Sequence, residues 1–295
     1  MSGQILVGAT AWGDRSLLES GWYPKGARTP AARLGWYAQH FPITEVDSSY
    51  YALPSERNSN LWVERTPDEF VFDVKAYALL TQHPANVESL PKALQPAARG
   101  KKRVYARDLP PAAVAEVSDM FRSALRPLHR AGKLGCILLQ FPEWFLPNGR
   151  NKDYVVEAAA RLPDYRCAVE LRSRAWMVPA ASAERTLRFL ADHRLAYVCV
   201  DMPQGFRSSI PPIVATTSAE LAVVRFHGRD PKAWAKKNVS ASERFRYRYE
   251  EPELTEWVPR LRELAKGAKT VHALFNNCHG SSAVDNARQL MDLLR

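Results

Sequence analysis

The chain has 295 residues, 46% hydrophobic and 24% charged, with a formal net charge of +10 and a pI near 9.5. That length suits one domain, residues 1–295, and lies slightly above what a single (β/α)8 barrel typically needs. The longest apolar runs, such as VVRF and CILLQF, fall far short of the roughly 20 residues needed to cross a bilayer, so no membrane partner is expected.

In chain order, an apolar strand is read at 5–10 (ILVGAT), with no basic region, longer apolar stretch or cleavage site before it that would mark a secretory signal. Helical spacing covers 30–40, a strand 44–49, a helix 55–65 and a strand 70–76. A long excursion over 78–110 carries the basic run RGKKRVYAR. Then come a helix at 110–131, a strand at 136–141, a helix at 152–161, a strand at 167–172, a helix at 181–193 and a strand at 196–202. The next connection, 203–220, holds three prolines and no clear apolar stripe, so it reads as a loop. A strand at 222–227, a second excursion over 228–250, a helix at 252–266, a strand at 270–277 and a helix at 282–294 complete the chain.

Eight strands alternating with helices predict a (β/α)8 TIM-type barrel, irregular around the sixth connection. Several strands are apolar on both faces, as expected between a barrel interior and a helical layer. Cys136, Cys167, Cys199 and Cys278 are far apart, and the first three sit inside such runs. A thiol there behaves as a small buried hydrophobe, which points to a reducing, cytoplasmic location; a cysteine metal centre would call for close pairs such as C-x-x-C.

In a parallel barrel the strand ends form one rim, so polar residues late in each strand can converge. Here these are Thr10 and Trp12; Glu45, Asp47 and Tyr50; Lys75; Gln140; Glu170 and Arg172; Asp201; Arg225 and His227; and Asn276 and Asn277. Residues two apart share a face, which pairs Glu170 with Arg172 and Arg225 with His227. Buried charges must be paired, so a network is expected at the mouth. Each residue also has a structural reading. Glu170 and Arg172 fit an ion pair closing the barrel, His227 a satisfied core histidine, and Asn276 and Asn277 caps for the last helix. Lys75 fits an imine-forming amine or, better, a salt bridge to Glu170. Trp12, Trp22 and Trp176 fit either pocket walls or packing.

No metal or other cofactor is expected. A divalent ion has one candidate ligand set, His227, Asp201 and Glu170, and no second rim histidine supports it, since His40, His83, His129, His193, His272 and His279 fall mostly in predicted helices and loops. Dinucleotide, P-loop and nucleophile-elbow signatures are absent from the sequence.

The motifs GATAW and GWYPKG, EVDSSYYALP, WVERTPDEFVFDVKA, LLQFPEWF, AVELRSRAW, VDMP, VVRFHGR and ALFNNCHGSSAVDNA, in that order, resemble the domain of unknown function 72 (YecE-like) family over nearly the whole length. The resemblance implies a (β/α) barrel and no assigned activity. It points to Glu45, Tyr50, Lys75, Glu170, Arg172, Trp176, Asp201, Arg225, His227, Asn276 and Asn277. Asp47 and Tyr50 stand where the family tends to have Asn and Phe, and Ser173 where it often has His.

The favoured expectation is an enzyme, hydrolase or lyase, acting on a polar or phosphorylated anionic small molecule. Glu170 and His227 would exchange protons with Lys75 and Asp201 in catalytic support; Trp12, Glu45, Tyr50, Arg172, Trp176, Arg225, Asn276 and Asn277 would bind substrate. The alternative is a nucleic-acid-binding protein, a phosphodiesterase in the manner of the barrel-shaped apurinic-site endonucleases, gripping phosphates through Lys101, Lys102, Arg103, Lys236 and Lys237. A third reading is a barrel that binds a ligand without turning it over. The sequence leaves the oligomeric state open.

Overall fold

The computed structural model of the chain describes residues 2–10, 12–236 and 239–295. Eight parallel strands close into one barrel: β1 (Gln4–Thr10), β2 (Ile43–Val46), β3 (Val71–Lys75), β4 (Leu134–Phe141), β5 (Cys167–Leu171), β6 (Ala196–Asp201), β7 (Leu221–Phe226) and β8 (Thr270–Phe275). Each pairs with its neighbour in sequence, and β8 closes on β1 in a register running from Gln4 opposite Thr270 to Ala9 opposite Phe275. Seven longer helices cover the outside: α1 (Pro30–Ala38), α2 (Glu56–Glu64), α3 (Pro111–Arg130), α4 (Gly149–Ala160), α5 (Ala180–Asp192), α6 (Trp257–Gly267) and α7 (Ser282–Leu294).

Local chemistry fixes the helix starts. Thr29, Ser55 and Asn148 cap α1, α2 and α4 by accepting hydrogen bonds from the amides of Ala32, Asn58 and Asn151. The Asn148 cap explains why α4 begins before the expected residue 152. The stretch read as one helix at 252–266 is two, Glu251–Thr255 and then α6, with a break at Glu256. The second strand stops at Val46 rather than residue 49, because Ser49 Oγ donates to the carbonyls of Val46 (2.7 Å) and Lys75 (2.6 Å) and turns Ser48–Tyr50 into a 3-10 turn.

The sixth connection carries no helix between β6 and β7. Pro203, Pro211 and Pro212 withhold amide donors there, and the segment is tied to β6 instead: Thr217 Oγ1 accepts from the Tyr197 amide and donates to the Leu195 carbonyl, both at 2.7 Å. The 78–110 excursion is organised by 3-10 turns and a short antiparallel ribbon of Ala85–Asn86 with Arg103–Val104. Among the described residues no helix is long and apolar enough to cross a membrane.

The main apolar core lies between strands and helices. Val117, Phe121, Leu125 and Leu128 of α3 are all buried on one stripe against the barrel. Inside the barrel a small separate cluster of Leu6, Ile43 and Leu274, with Val71 against it, and the inward-facing Leu138, Val198, Val200 and Val223 share the lumen with buried polar groups, Glu45, Asp73, Glu170, Arg225 and His272 among them. His272, within the strand read at 270–277 but not among the expected site residues, belongs to this interior.

Gly8 shows how tightly β1 and β2 meet, since a Cβ there would lie 2.0 Å from the Ile43 carbonyl oxygen. Gly8→Ala is therefore expected to lower the unfolding free energy by about 1–3 kcal/mol, read by urea denaturation, as overpacking typically does. An unchanged midpoint would mean that β1 and β2 can move apart freely.

Candidate functional site

At the carboxyl ends of the strands the polar lumen is organised by Arg225 of β7, whose side chain is wholly buried. Its Nη2 donates to Glu45 Oε1 at 2.6 Å and its Nη1 to Glu170 Oε2 at 2.5 Å, joining β7 to β2 and β5. The other oxygen of Glu170 accepts from Arg172 Nη1 (2.7 Å) and Gln140 Nε2 (2.8 Å) and faces His227 Nε2 at 3.2 Å. The Asn276 amide lies 2.9 Å from His227 Nδ1, and Asn276 Oδ1 accepts from Thr10 Oγ1 at 2.8 Å. With His227 neutral, Asn276 donates to Nδ1 and the Nε2–H points at Glu170.

Electrostatics divides these groups. Burial alone would raise the Glu170 pKa, but Arg225, His227 and Arg172 outweigh it and hold the carboxyl well below the usual range. Burial lowers His227 to about 4 against the pull of Glu170, so it is neutral at neutral pH. Burial would also lower Arg225, yet Glu45 and Glu170 keep its guanidinium charged, above its ordinary value.

Above this network opens a cavity of about 670 Å³. Lys75, Arg172 and Arg244 supply its cationic wall, Glu45 and Asp47 its acidic one, and Trp12, Tyr50 and Phe245 its aromatic faces. Glu45 is pushed up to about 8, first by burial and further by Asp47, against the opposing pull of Arg225. Burial would raise Asp47 too, but Lys75 and Arg225 bring it below its ordinary value. The two neighbouring carboxyls thus differ in protonation at neutral pH, with the proton on Glu45.

The structure brings Trp12, Glu45, Tyr50, Lys75, Arg172, Glu170, Arg225, His227 and Asn276 to this mouth, the first five and Asn276 as cavity lining. The salt bridge expected between Lys75 and Glu170 is not formed. Lys75 Nζ sits 3.3 Å from Asp47 Oδ1 and 4.7 Å from the centre of the Tyr50 ring, while Glu170 is taken up by the arginines.

Three expected site residues lie elsewhere. Asp201 points outward from β6, where it accepts from Arg229 Nε (3.0 Å) and Nη2 (2.7 Å), Tyr249 OH (2.9 Å) and Trp257 Nε1 (2.6 Å). It clamps the 228–250 segment and α6 onto the barrel, and it cannot join His227 and Glu170 as a third metal ligand. Trp176 is core, stacked on Phe145 and donating to its carbonyl at 2.5 Å. Asn277 donates to the Tyr247 carbonyl and to Asn286 Oδ1, both at 3.0 Å, pinning the same segment to α7. Trp22 packs against Tyr23, Trp36 and Phe41.

Sequence reasoning missed the inward contribution of the 228–250 segment. Phe245, Tyr247 and Tyr249 face in and Arg246 and Arg248 face out, a period-two alternation that signals an extended, half-buried strap, and Arg244, at the end of the helical turn before it, reaches the cavity. Phe245 packs 5.6 Å from the His227 ring, and Arg172 lies over Trp234 at 4.9 Å. Among the residues read as a phosphate grip, Lys101 pairs with Asp108 at 2.9 Å and Lys236 with Glu243 at 3.8 Å. Lys102 and Arg103 are exposed on the other excursion, and Lys237 lies outside the described residues.

A family model described as protein of unknown function DUF72 matches residues 6–295. The UPF0759 protein YunF of Bacillus subtilis (strain 168) is 35% identical over 293 residues, covering 98% of this chain and 94% of that protein. Among solved structures, a DUF72 family protein from Enterococcus faecalis V583 superposes with a TM-score of 0.80 at 26% identity, covering 99% of this chain and 95% of that one. Another from Thermotoga maritima MSB8 gives a TM-score of 0.77 at 28% identity, covering 99% of both chains.

Two outcomes follow from the geometry. Asp201→Ala leaves the buried donors of Tyr249 and Trp257 unpaired, while Arg229 keeps Glu253 and Glu256, and is expected to cost about 1–3 kcal/mol of stability in denaturant titration, the usual penalty for leaving a buried donor unsatisfied. Glu45 holds its proton in the folded chain up to about pH 8, whereas in the unfolded chain it releases it near the ordinary value of 4.5. The stabilisation from this neutral carboxyl is complete at low pH and is lost as pH rises toward about 8. Glu45→Gln should abolish that loss, so its stability relative to the parent should climb between pH 5 and about 8; a pH-independent difference would place the proton elsewhere.

Proposed function

Since the chain belongs to the DUF72 family, whose description leaves activity open, we propose its function from the mouth itself: an enzyme of hydrolase or lyase type that moves protons on a polar, anionic small molecule without a redox cofactor. One observation carries the reading. Glu45 and Asp47 face a single cavity with their pKa values driven apart, which is how one site obtains an acid and a base at neutral pH.

In this reading Lys75, Arg172 and Arg244 hold the negative charge of the substrate, and Trp12, Tyr50 and Phe245 flank its less polar face. Glu45 gives its proton to the leaving group, and Asp47 takes one from the attacking water or from a carbon of the substrate. The sequence had suggested Glu170 and His227 for that exchange. A carboxylate held far below its usual range by two arginines is a poor proton acceptor, and an imidazole lowered to about 4 is a poor donor. They act better as positioning residues, with Arg225 orienting Glu45 and the Asn276–His227 pair orienting Glu170. The nucleic-acid alternative rests on basic groups that are partly neutralised by local acids, whereas Lys75, Arg172 and Arg244 face a cavity sized for a small molecule.

The test begins with a thermal-shift screen of phosphorylated and carboxylated metabolites, because a ligand that prefers the folded state raises Tm. For a turned-over compound, Glu45→Gln should lower kcat by about 10²–10⁴-fold, the usual contribution of a proton-transfer group. Arg172→Gln should chiefly raise KM, and kcat/KM should fall on the alkaline side as Glu45 loses its proton near about 8. Full turnover by Glu45→Gln would remove it from the chemistry and with it the proposal.

A further inference from the structure

Deeper in the lumen, on strands that also feed the mouth but nearer their amino ends, Asp73 of β3, Cys136 of β4 and His272 of β8 converge. One oxygen, one sulfur and one nitrogen lie within 4.8 Å of one another, and all three residues are buried. Two strands, β2 and β1, stand between β3 and β8 in the wall, so this meeting spans the lumen. His272 Nδ1 lies 3.0 and 2.9 Å from the two oxygens of Asp73.

The backbone is shaped around the trio. Pairing between β3 and β4 shifts register between Phe72 and Val74, which sets Asp73 against the Gly135–Cys136 stretch. A Cβ on Gly135 would lie 2.2 Å from Asp73 Oδ1 and 2.9 Å from His272 Cε1, so only glycine lets carboxylate and imidazole come together.

Barrel interiors are ordinarily filled by branched apolar layers, and an interior carboxylate costs several kcal/mol unless it is compensated. Here the carboxylate of Asp73 meets one imidazole nitrogen, Nδ1 of His272, set between its two oxygens, and the thiol of Cys136. We propose that Asp73, Cys136 and His272 form a binding site for one divalent transition-metal ion of the zinc class. The donor set selects that class: thiolate and imidazole are ligands of zinc-like ions, whereas calcium and magnesium seek six or more oxygens. Charge also balances. The thiol releases its proton on binding, thiolate and carboxylate cancel the two charges of the ion, and the imidazole adds none, so no net charge is left in the lumen. Close spacing in the sequence does not mark this site, because its ligands come from strands far apart in the chain.

The experiment uses the full chain, loaded with cobalt(II) as a spectroscopic stand-in for zinc. Elemental analysis should give one ion per chain, and the absorption spectrum should show a thiolate-to-cobalt charge-transfer band in the near ultraviolet. Cys136→Ser should abolish the band and weaken binding at least tenfold, while Cys199→Ser, at a buried thiol elsewhere, should keep both. Should Cys136→Ser fail to fold, X-ray absorption on the cobalt-loaded parent decides, one sulfur and at least one imidazole supporting the site. Substoichiometric metal, an all-oxygen-and-nitrogen shell, or a band undiminished in Cys136→Ser overturns the proposal and leaves a hydrogen-bonded Asp73–His272 pair with Cys136 as packing.

Discussion

A guanidinium with no exposed surface sits at the head of this barrel, and the arrangement of the mouth follows from how it is neutralised. Arg225 is charged and far from water, so two acidic side chains from different strands meet it, the ionised Glu170 from β5 and the proton-bearing Glu45 from β2. Desolvating charged groups is expensive, and the geometry that offsets it leaves little freedom: the bonds are 2.5 and 2.6 Å, and each carboxyl group approaches a different nitrogen. A pair this deep contributes more to fixing which residues meet than to raw stability, since a well-packed apolar replacement is often as stable.

The consequence for chemistry lies in an imbalance between the two carboxylates. Glu170 receives Arg225, Arg172, Gln140 and His227 together, so its negative charge is over-satisfied. Glu45 has Arg225 on one side and the Asp47 carboxyl on the other, and Asp47 draws the field of Lys75. Burial, with repulsion from the neighbouring acid, outweighs Arg225 and leaves the proton on Glu45. The same cation therefore makes one glutamate a fixed anchor and the other a titrating acid, and the cavity opens on the second.

Much of this was legible in the sequence. All eight strands lie where apolar runs and turn residues put them, because strands buried on both faces are continuously apolar and stand out. That same property hides which face is which. AYVCVD offers no alternation, so nothing in it says that Asp201 points outward; only the pairing of Val200 with Arg225, and of Asp201 with Phe226, sets the parity. His272 in TVHALF was obscured for the same reason, since a histidine between apolar residues gives no sign of facing the lumen. Trp176 follows the β5 motif but turns away on a 3-10 turn into the outer core. Arg244 and Phe245 lie in a basic stretch whose charge drew the eye, when its alternation was the informative feature.

The lumen is thus held together across its width at two levels, by Arg225 with Glu45 at the mouth and by His272 with Asp73 below. The cluster of Leu6, Ile43 and Leu274 does not fill the barrel alone, and the polar bridges stand among the inward-facing Leu138, Val198, Val200 and Val223. The levels are not independent. Glu45 and Asp73 are direct partners in the β2–β3 register, so whatever occupies or shifts the lower trio acts on the strand pair that presents the titrating acid. An interior packed with leucine and valine would hold the same strands, but it would not set the position of a single carboxyl from below.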